Sequence, residues 1–186
     1  MLQDYLGEAV SLHEIFSNEN STIYSLEKAI NLIKSCFKGK NKILIAGNGG
    51  SAADAQHFAA EIVCKFKKER AGYPAIALTV NSSVITAWGN DYDFDSIYSR
   101  QVEAFGQAGD VFIGISTSGN SKNIIDAVIK AKQLGIKSFC LLGNGGGELA
   151  NLADLSIIIP SVNTPRIQEM HILLIHIICE EIEKDF

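Results

Sequence analysis

The chain has 186 residues, enough for one domain with a buried core, and its 47% apolar and 20% charged residues are ordinary for a globular protein. Lys and Arg number 16 against 21 Asp and Glu, a formal net charge of −5, and the densest basic stretch is only Lys65, Lys67, Lys68 and Arg70. Charge therefore does not indicate a nucleic-acid surface, and no run reaches the ~18 apolar residues of a membrane span. The longest apolar candidate, "ILLIHIIC" (172–179), is short and holds His176. "MLQDYLGEAVSLHEIF" lacks the basic start and unbroken apolar stretch of a signal peptide. Cys36, Cys64, Cys140 and Cys179 are far apart, form no CxxC and sit among apolar neighbours. They read as buried free thiols of a cytoplasmic protein.

Residues 3–37 carry apolar side chains at helical spacing, from Leu6, Val10 and Leu12 to Ile30 and Ile33, with a break at "SNENST" (17–22). This arm, residues 1–38, suits packing or oligomerisation. From Lys42 the pattern alternates. Strands are expected at 42–47, 75–80, 110–116, 137–143 and 155–160. Helices are expected at 51–66, 82–89, 121–134, near 147–152 and at 165–184. Short, nearly continuous apolar strands separated by helices predict an α/β fold with a parallel sheet covered on both faces. No linker or low-complexity tract interrupts residues 1–186, so a single domain is expected.

Two glycine-bearing loops follow strands and open helices: "GNGGS" (47–51) and "STSGNS" (116–121). In open α/β sheets ligands bind at the carboxyl ends of strands, where helix N-termini offer free N–H groups to an anion. Ser116, Thr117, Ser118 and Ser121 add hydroxyl donors without adding charge. Ser121 is also well placed as a helix cap. Gly47, Gly49 and Ala52 match G-x-G-x-x-G/A, but the next strand ends in Asn81, Ser82 and Ser83, with no acid for a ribose. A dinucleotide is set aside, and so is a Walker loop, because no Gly-Lys-Ser/Thr follows. The third glycine loop, "GNGGGE" (143–148), reads as a turn. The first two point to a small phosphorylated or polyhydroxylated ligand.

His57 and Glu61 stand four apart on one helix face. In the last helix Thr164 is the expected cap and Pro165 the first helical residue, and Gln168 and His176 share an otherwise apolar face. Buried polar groups need partners. These four side chains are suited to a divalent cation such as zinc, and Glu61 and His176 alternatively to an acid/base pair. His171 and His13 read as structural or as contacts to a neighbouring subunit. Asp91, Asp93 and Asp95 begin like an EF-hand, but Ser96 and Val102 occupy the positions that need Gly and Glu.

Together "AGNGGSAADAQHFAAE", "GYPAIAL", "GNDYDFDSIYSRQVEA", "GDVFIGISTSGNS" and "RIQEMHILLIHIICEEIE" resemble the sugar isomerase (SIS) family, most closely its phosphoheptose isomerase branch, over nearly the whole chain. The resemblance implies a flavodoxin-like parallel sheet flanked by helices. It implies a phosphate held by Ser116, Thr117, Ser118 and Ser121, and a sugar held by Asn48, Gly49, Gly50, Ser51, Asn90, Asp91, Glu61 and Gln168. Glu61 matches the base and His176 its acid/base partner. His57, Glu61, Gln168 and His176 match a zinc set, one ion per subunit. Also implied are a cytoplasmic homotetramer with sites at subunit interfaces, and conversion of D-sedoheptulose 7-phosphate to D-glycero-D-manno-heptose 7-phosphate for lipopolysaccharide core or capsule. The rivals weighed are a non-catalytic SIS-fold regulator of replication initiation and an isomerase of another sugar phosphate.

Overall fold

Five short apolar runs pair side by side as parallel strands: β1 Ile43–Gly47, β2 Ala75–Ala77, β3 Val111–Ser116, β4 Lys137–Leu142 and β5 Leu155–Ile158. The computed structural model describes residues 2–185; Met1 and Phe186, the ends of the expected domain, lie outside them. The strand order is β2-β1-β3-β4-β5, a doubly wound, flavodoxin-like arrangement whose direction reverses between β1 and β3. The helices are α1 Leu2–Ser17, α2 Asn20–Lys38, α3 Gly50–Val63, α4 Ser82–Asp91, α5 Ile97–Phe105, α6 Lys122–Gln133, α7 Leu149–Leu152 and α8 Thr164–Glu183.

Side chains alternate across a strand, so one apolar run supplies two cores. Ile43, Ile45, Val111, Ile113, Ile115, Phe139 and Leu141 face α2, α3 and α8, against which α1 packs. Leu44, Ala46, Phe112, Cys140 and Leu142 face α5, α6 and α7. Most of these strand residues are fully buried, each contributing roughly 1.5–3 kcal/mol relative to exposure. At the end of the sheet away from the glycine loops, buried Asp110 accepts from Lys42 N (3.0 Å), Lys42 Nζ (2.7 Å) and Gln107 N (2.9 Å), tying the starts of β1 and β3 together.

The expected elements are present, with local differences. β2 is three residues long and stops at Ala77. α5 was not expected from sequence. Its nine residues bury only Ile97, Tyr98, Gln101 and Val102, too brief a stripe to stand out behind the acidic loop. The cap of α8 is Asn163 rather than Thr164, which is already helical. Cys64 is exposed, contrary to the expectation of four buried thiols, because it caps the end of α3; Cys36, Cys140 and Cys179 are buried, and all four are free. No helix among the described residues is long and apolar enough to cross a membrane.

α3 stops at Val63 and not at 66 because the next backbone amides have another partner. Glu183, 2% exposed near the end of α8, accepts from the N–H groups of Phe66 (2.8 Å), Lys67 (2.8 Å) and Lys68 (3.0 Å) and from Arg70 Nε (3.0 Å). Arg70 in turn donates to the carbonyls of Ile62 (2.9 Å) and Glu61 (2.8 Å) at the end of α3. Burial pushes the Glu183 carboxyl up, but the three amides and Arg70 outweigh it and hold it at about 2, below its ordinary 4.5. The unfolded chain therefore takes that proton more readily than the folded one. The stabilisation is full above about pH 4.5 and is lost as pH falls toward 2. Glu183→Gln should cost about 3 kcal/mol at neutral pH, and thermal melts should show the gap between variant and parent closing as pH drops through this window.

Candidate active site

The reversal between β1 and β3 opens a crevice at the carboxyl ends of the strands, and the two glycine loops stand on either side of it. Asn48 follows β1. Its amide exchanges two hydrogen bonds with that of Asn123, the second residue of α6: Asn48 Nδ2 donates to Asn123 Oδ1 at 2.8 Å and Asn123 Nδ2 to Asn48 Oδ1 at 2.9 Å. Tyr98, buried on α5, donates its hydroxyl to the Gly47 carbonyl at 2.7 Å, and burial pushes its pKa up to about 12. Gly49 and Gly50 are exposed, whereas Ser51 is buried in the first turn of α3.

Across the crevice three of the four hydroxyls come together. Ser116 Oγ lies 2.9 Å from Ser121 Oγ and 3.5 Å from Ser118 Oγ, and the Gly119 amide donates to Ser116 Oγ at 3.2 Å. Ser121 stands at the cap position of α6 but makes no side-chain cap bond; its hydroxyl turns to Ser116. Thr117 sits between these serines, half-buried. Gly119 has φ +68, and a side chain there would collide with the Gly146 carbonyl. The loop expected as a plain turn, residues 143–148, is thus a buttress: Leu149 N donates to the Gly119 carbonyl (3.0 Å) and Glu148 N to Asn120 Oδ1 (2.9 Å).

On the other face of the sheet α3 packs against α8 and brings together residues 119 apart in sequence. His57 Nε2 lies 3.1 Å from His176 Nε2 and 3.3 Å from Glu61 Oε1. His57 is the hub of this trio: its ring stands 5.2 Å from that of His176, and Phe66 closes the far side of His176 at 5.6 Å. His57 is 45% exposed and Glu61 24%. Asp54, one turn ahead of His57 on α3, escaped the sequence reading. Its buried Oδ2 has no hydrogen-bond partner among the described residues, and burial raises its pKa to about 6, with His57 opposing the shift.

Zinc held by two imidazoles and a carboxylate has bonds of ~2.0–2.1 Å, which sets tetrahedral ligand–ligand edges at about 3.3 Å. Two imidazoles and a carboxylate are donor types that zinc takes, and the two His57 distances are close to such edges. Among the described residues no group of three or more His, Cys, Asp or Glu forms a ready-made cage, and Glu61 and His176 make no ion pair with each other. Gln168, the expected fourth donor, lies elsewhere on the α3–α8 seam, where its amide fills the space a side chain on Gly50 would need. Asn90 and Asp91 stand exposed at the end of α4, Asn90 Nδ2 donating to Asp91 Oδ1 at 2.9 Å. His171 is structural: it is fully buried, Nε2–H donates to the Leu142 carbonyl at 3.1 Å, and burial lowers its pKa to about 4, with that bond opposing. Among the described residues His13 bonds the Ala9 carbonyl of its own helix, at 2.7 Å.

This fold and these loops define a sugar-phosphate domain, and a SIS domain family model matches residues 4–143. The chain belongs to that family, in its phosphoheptose isomerase branch, and is an isomerase. It is 54% identical over 171 residues to the phosphoheptose isomerase of Sulfurimonas denitrificans, covering 92% of this chain and 87% of the relative. It is 47% identical over 184 residues to that of Clostridium acetobutylicum, covering 99% and 94%. The solved phosphoheptose isomerase of Neisseria gonorrhoeae superposes with a TM-score of 0.93 at 41% identity, over 98% of this chain and 97% of that one. That of Francisella tularensis gives 0.94 at 36% identity, over 98% and 96%.

Ser118→Ala removes one of the converging hydroxyls. Steady-state kinetics should show KM raised roughly three- to tenfold with kcat little changed, as expected when binding common to ground and transition states is lost.

Proposed function

We propose that the chain interconverts D-sedoheptulose 7-phosphate and D-glycero-D-manno-heptose 7-phosphate, with Glu61 as base and His176 as the partner that moves protons on oxygen. The observation that carries this is the trio itself, in which one imidazole nitrogen of His57 stands beside both the carboxylate and the second imidazole. The ketose phosphate rests on Ser116, Thr117, Ser118 and Ser121. Asn48, Gly49, Gly50, Ser51, Asn90, Asp91 and Gln168 face its hydroxyls. Glu61 takes a proton from C1, leaving a C1–C2 enediol, and returns it to C2 from the same side. His176 passes a proton from O1 to O2, so the carbonyl moves from C2 to C1 with no net change in composition.

His57, Glu61 and His176 would hold one zinc per subunit, with Gln168 as the fourth donor once its amide turns from Gly50 toward the trio. When bound, such an ion supplies Lewis-acid stabilisation of negative charge on substrate oxygen. Glu61 is needed in both roles, so removing the metal and removing the carboxylate are separate experiments.

The working form in this reading is a homotetramer with its sites at subunit interfaces. Leu2, Leu6 and Val10 on α1 are 79%, 69% and 57% exposed, beside an apolar groove of about 590 Å³ between α1, α2 and α8. That much bare apolar surface suits a second copy of the chain. His57, Asn90 and Asp91 are likewise uncovered within one chain. The unpaired thiols support a reducing cytoplasm. The product serves nucleotide-activated heptose synthesis for lipopolysaccharide core or capsule.

Glu61→Gln and His176→Gln should each lower kcat by ~10²–10⁴ while circular dichroism stays that of the parent. Near-normal turnover in either variant removes that residue from its role. Chelation should abolish turnover and added zinc should restore it; activity that survives complete metal removal would contradict the metal reading.

A further inference from the structure

The reciprocal amide pair across the β1/β3 crevice joins the two loops that the proposed function assigns to sugar and to phosphate. Asn48 precedes α3 and Asn123 is in the first turn of α6, 75 residues later, and the two bonds of 2.8 and 2.9 Å are the side-chain hydrogen bonds of both amides among the described residues. Asn123 is 2% exposed; Asn48 is half-buried. An Asn side chain has two N–H donors and two acceptor lone pairs. Each partner therefore uses one of each on the other. Asn48, the more accessible, keeps one N–H and one lone pair for a ligand. Rotating either amide alone by half a turn would set N–H against N–H and oxygen against oxygen. The two turn only together, and Asn123 is held in the interior beside Ile124 and Ala127.

We propose that Asn123 is a positioning residue for the reaction: through the paired amides it fixes which groups Asn48 presents to the sugar hydroxyls and holds the sugar-side loop in register with the phosphate-side loop. This rests on the isomerase reading of the same site and adds to it a specificity-setting residue that touches no substrate. The chemistry recognised is a polyhydroxylated chain attached to a phosphate, spanning both loops at once. A ligand that occupies only the hydroxyl loop does not depend on the pair.

The test is a double-mutant cycle on the full chain, read with D-sedoheptulose 7-phosphate as substrate and inorganic phosphate as competitive inhibitor. Asn48→Ala and Asn123→Ala should each raise KM about tenfold, and the double variant should be no worse than Asn48→Ala, while the phosphate inhibition constant stays within about twofold throughout. If Asn123→Ala does not fold, Asn123→Leu keeps most of the volume, adds no charge and removes both groups that face Asn48, and the same pattern is expected. Losses that multiply in the double variant, or a phosphate constant that weakens with the sugar, would make Asn123 merely structural and overturn the proposal. An unchanged KM in Asn123→Ala would overturn it equally. Absence of turnover in the unaltered protein would contradict the isomerase reading and this proposal together, whereas turnover with multiplying losses contradicts this proposal alone.

Discussion

The site depends on one topological constraint. A parallel sheet wound in both directions from β1 must part its crossover connections between β1 and β3, and the crevice so formed is where helix N-termini and strand ends meet. What the sequence places on either side of that reversal decides the chemistry. Here it places glycines with an Asn on one side and a cluster of hydroxyls on the other, with the Asn48–Asn123 pair across the gap. Neutral donors suit a dianionic phosphate that must be released again after each turnover.

The trio of His57, Glu61 and His176 obeys a different constraint. α3 and α8 pack through apolar faces, and a polar residue on such a face is tolerated only with a partner. His57, Glu61 and His176 supply partners to one another across the seam. The seam is held at its far end by Glu183 and Arg70, which bind the segment after α3 to the end of α8 and set Phe66 against His176. Stability and chemistry are therefore coupled here: the same turn that ends α3 forms one wall of the trio. At the near end the Gln168 amide lies on Gly50, so that glycine permits the close approach of the two helices.

Much of this was legible in sequence, for physical reasons. Fully buried parallel strands read as continuous apolar runs, so the sheet and its five strands were plain. The closeness of Ser116, Ser118 and Ser121 followed from clustering, and the shared face of His57 and Glu61 from helical spacing; that His176 meets them while Gln168 lies against Gly50 depends on how α8 packs on α3. Other features were hidden. α5 is short and half polar, so its period does not rise above the acidic loop before it. Asn123 looked like any polar residue of an amphipathic helix, although it stands four before Ala127 on the inward stripe, a signal that could have marked it. Asp54 shares the face of His57 and Glu61, three and seven residues before them, and was masked by the small residues around it. The early end of α3 depends on Glu183, more than a hundred residues away, and no local pattern announces it.

The most direct test of the account is to incubate the purified chain with D-sedoheptulose 7-phosphate in D2O and follow the sugar by NMR. The account predicts an aldoheptose phosphate that carries solvent deuterium at C2, to the extent that the proton held by Glu61 exchanges before its return. A bound sugar phosphate with neither conversion nor exchange would contradict the account and make the same crevice a sensor.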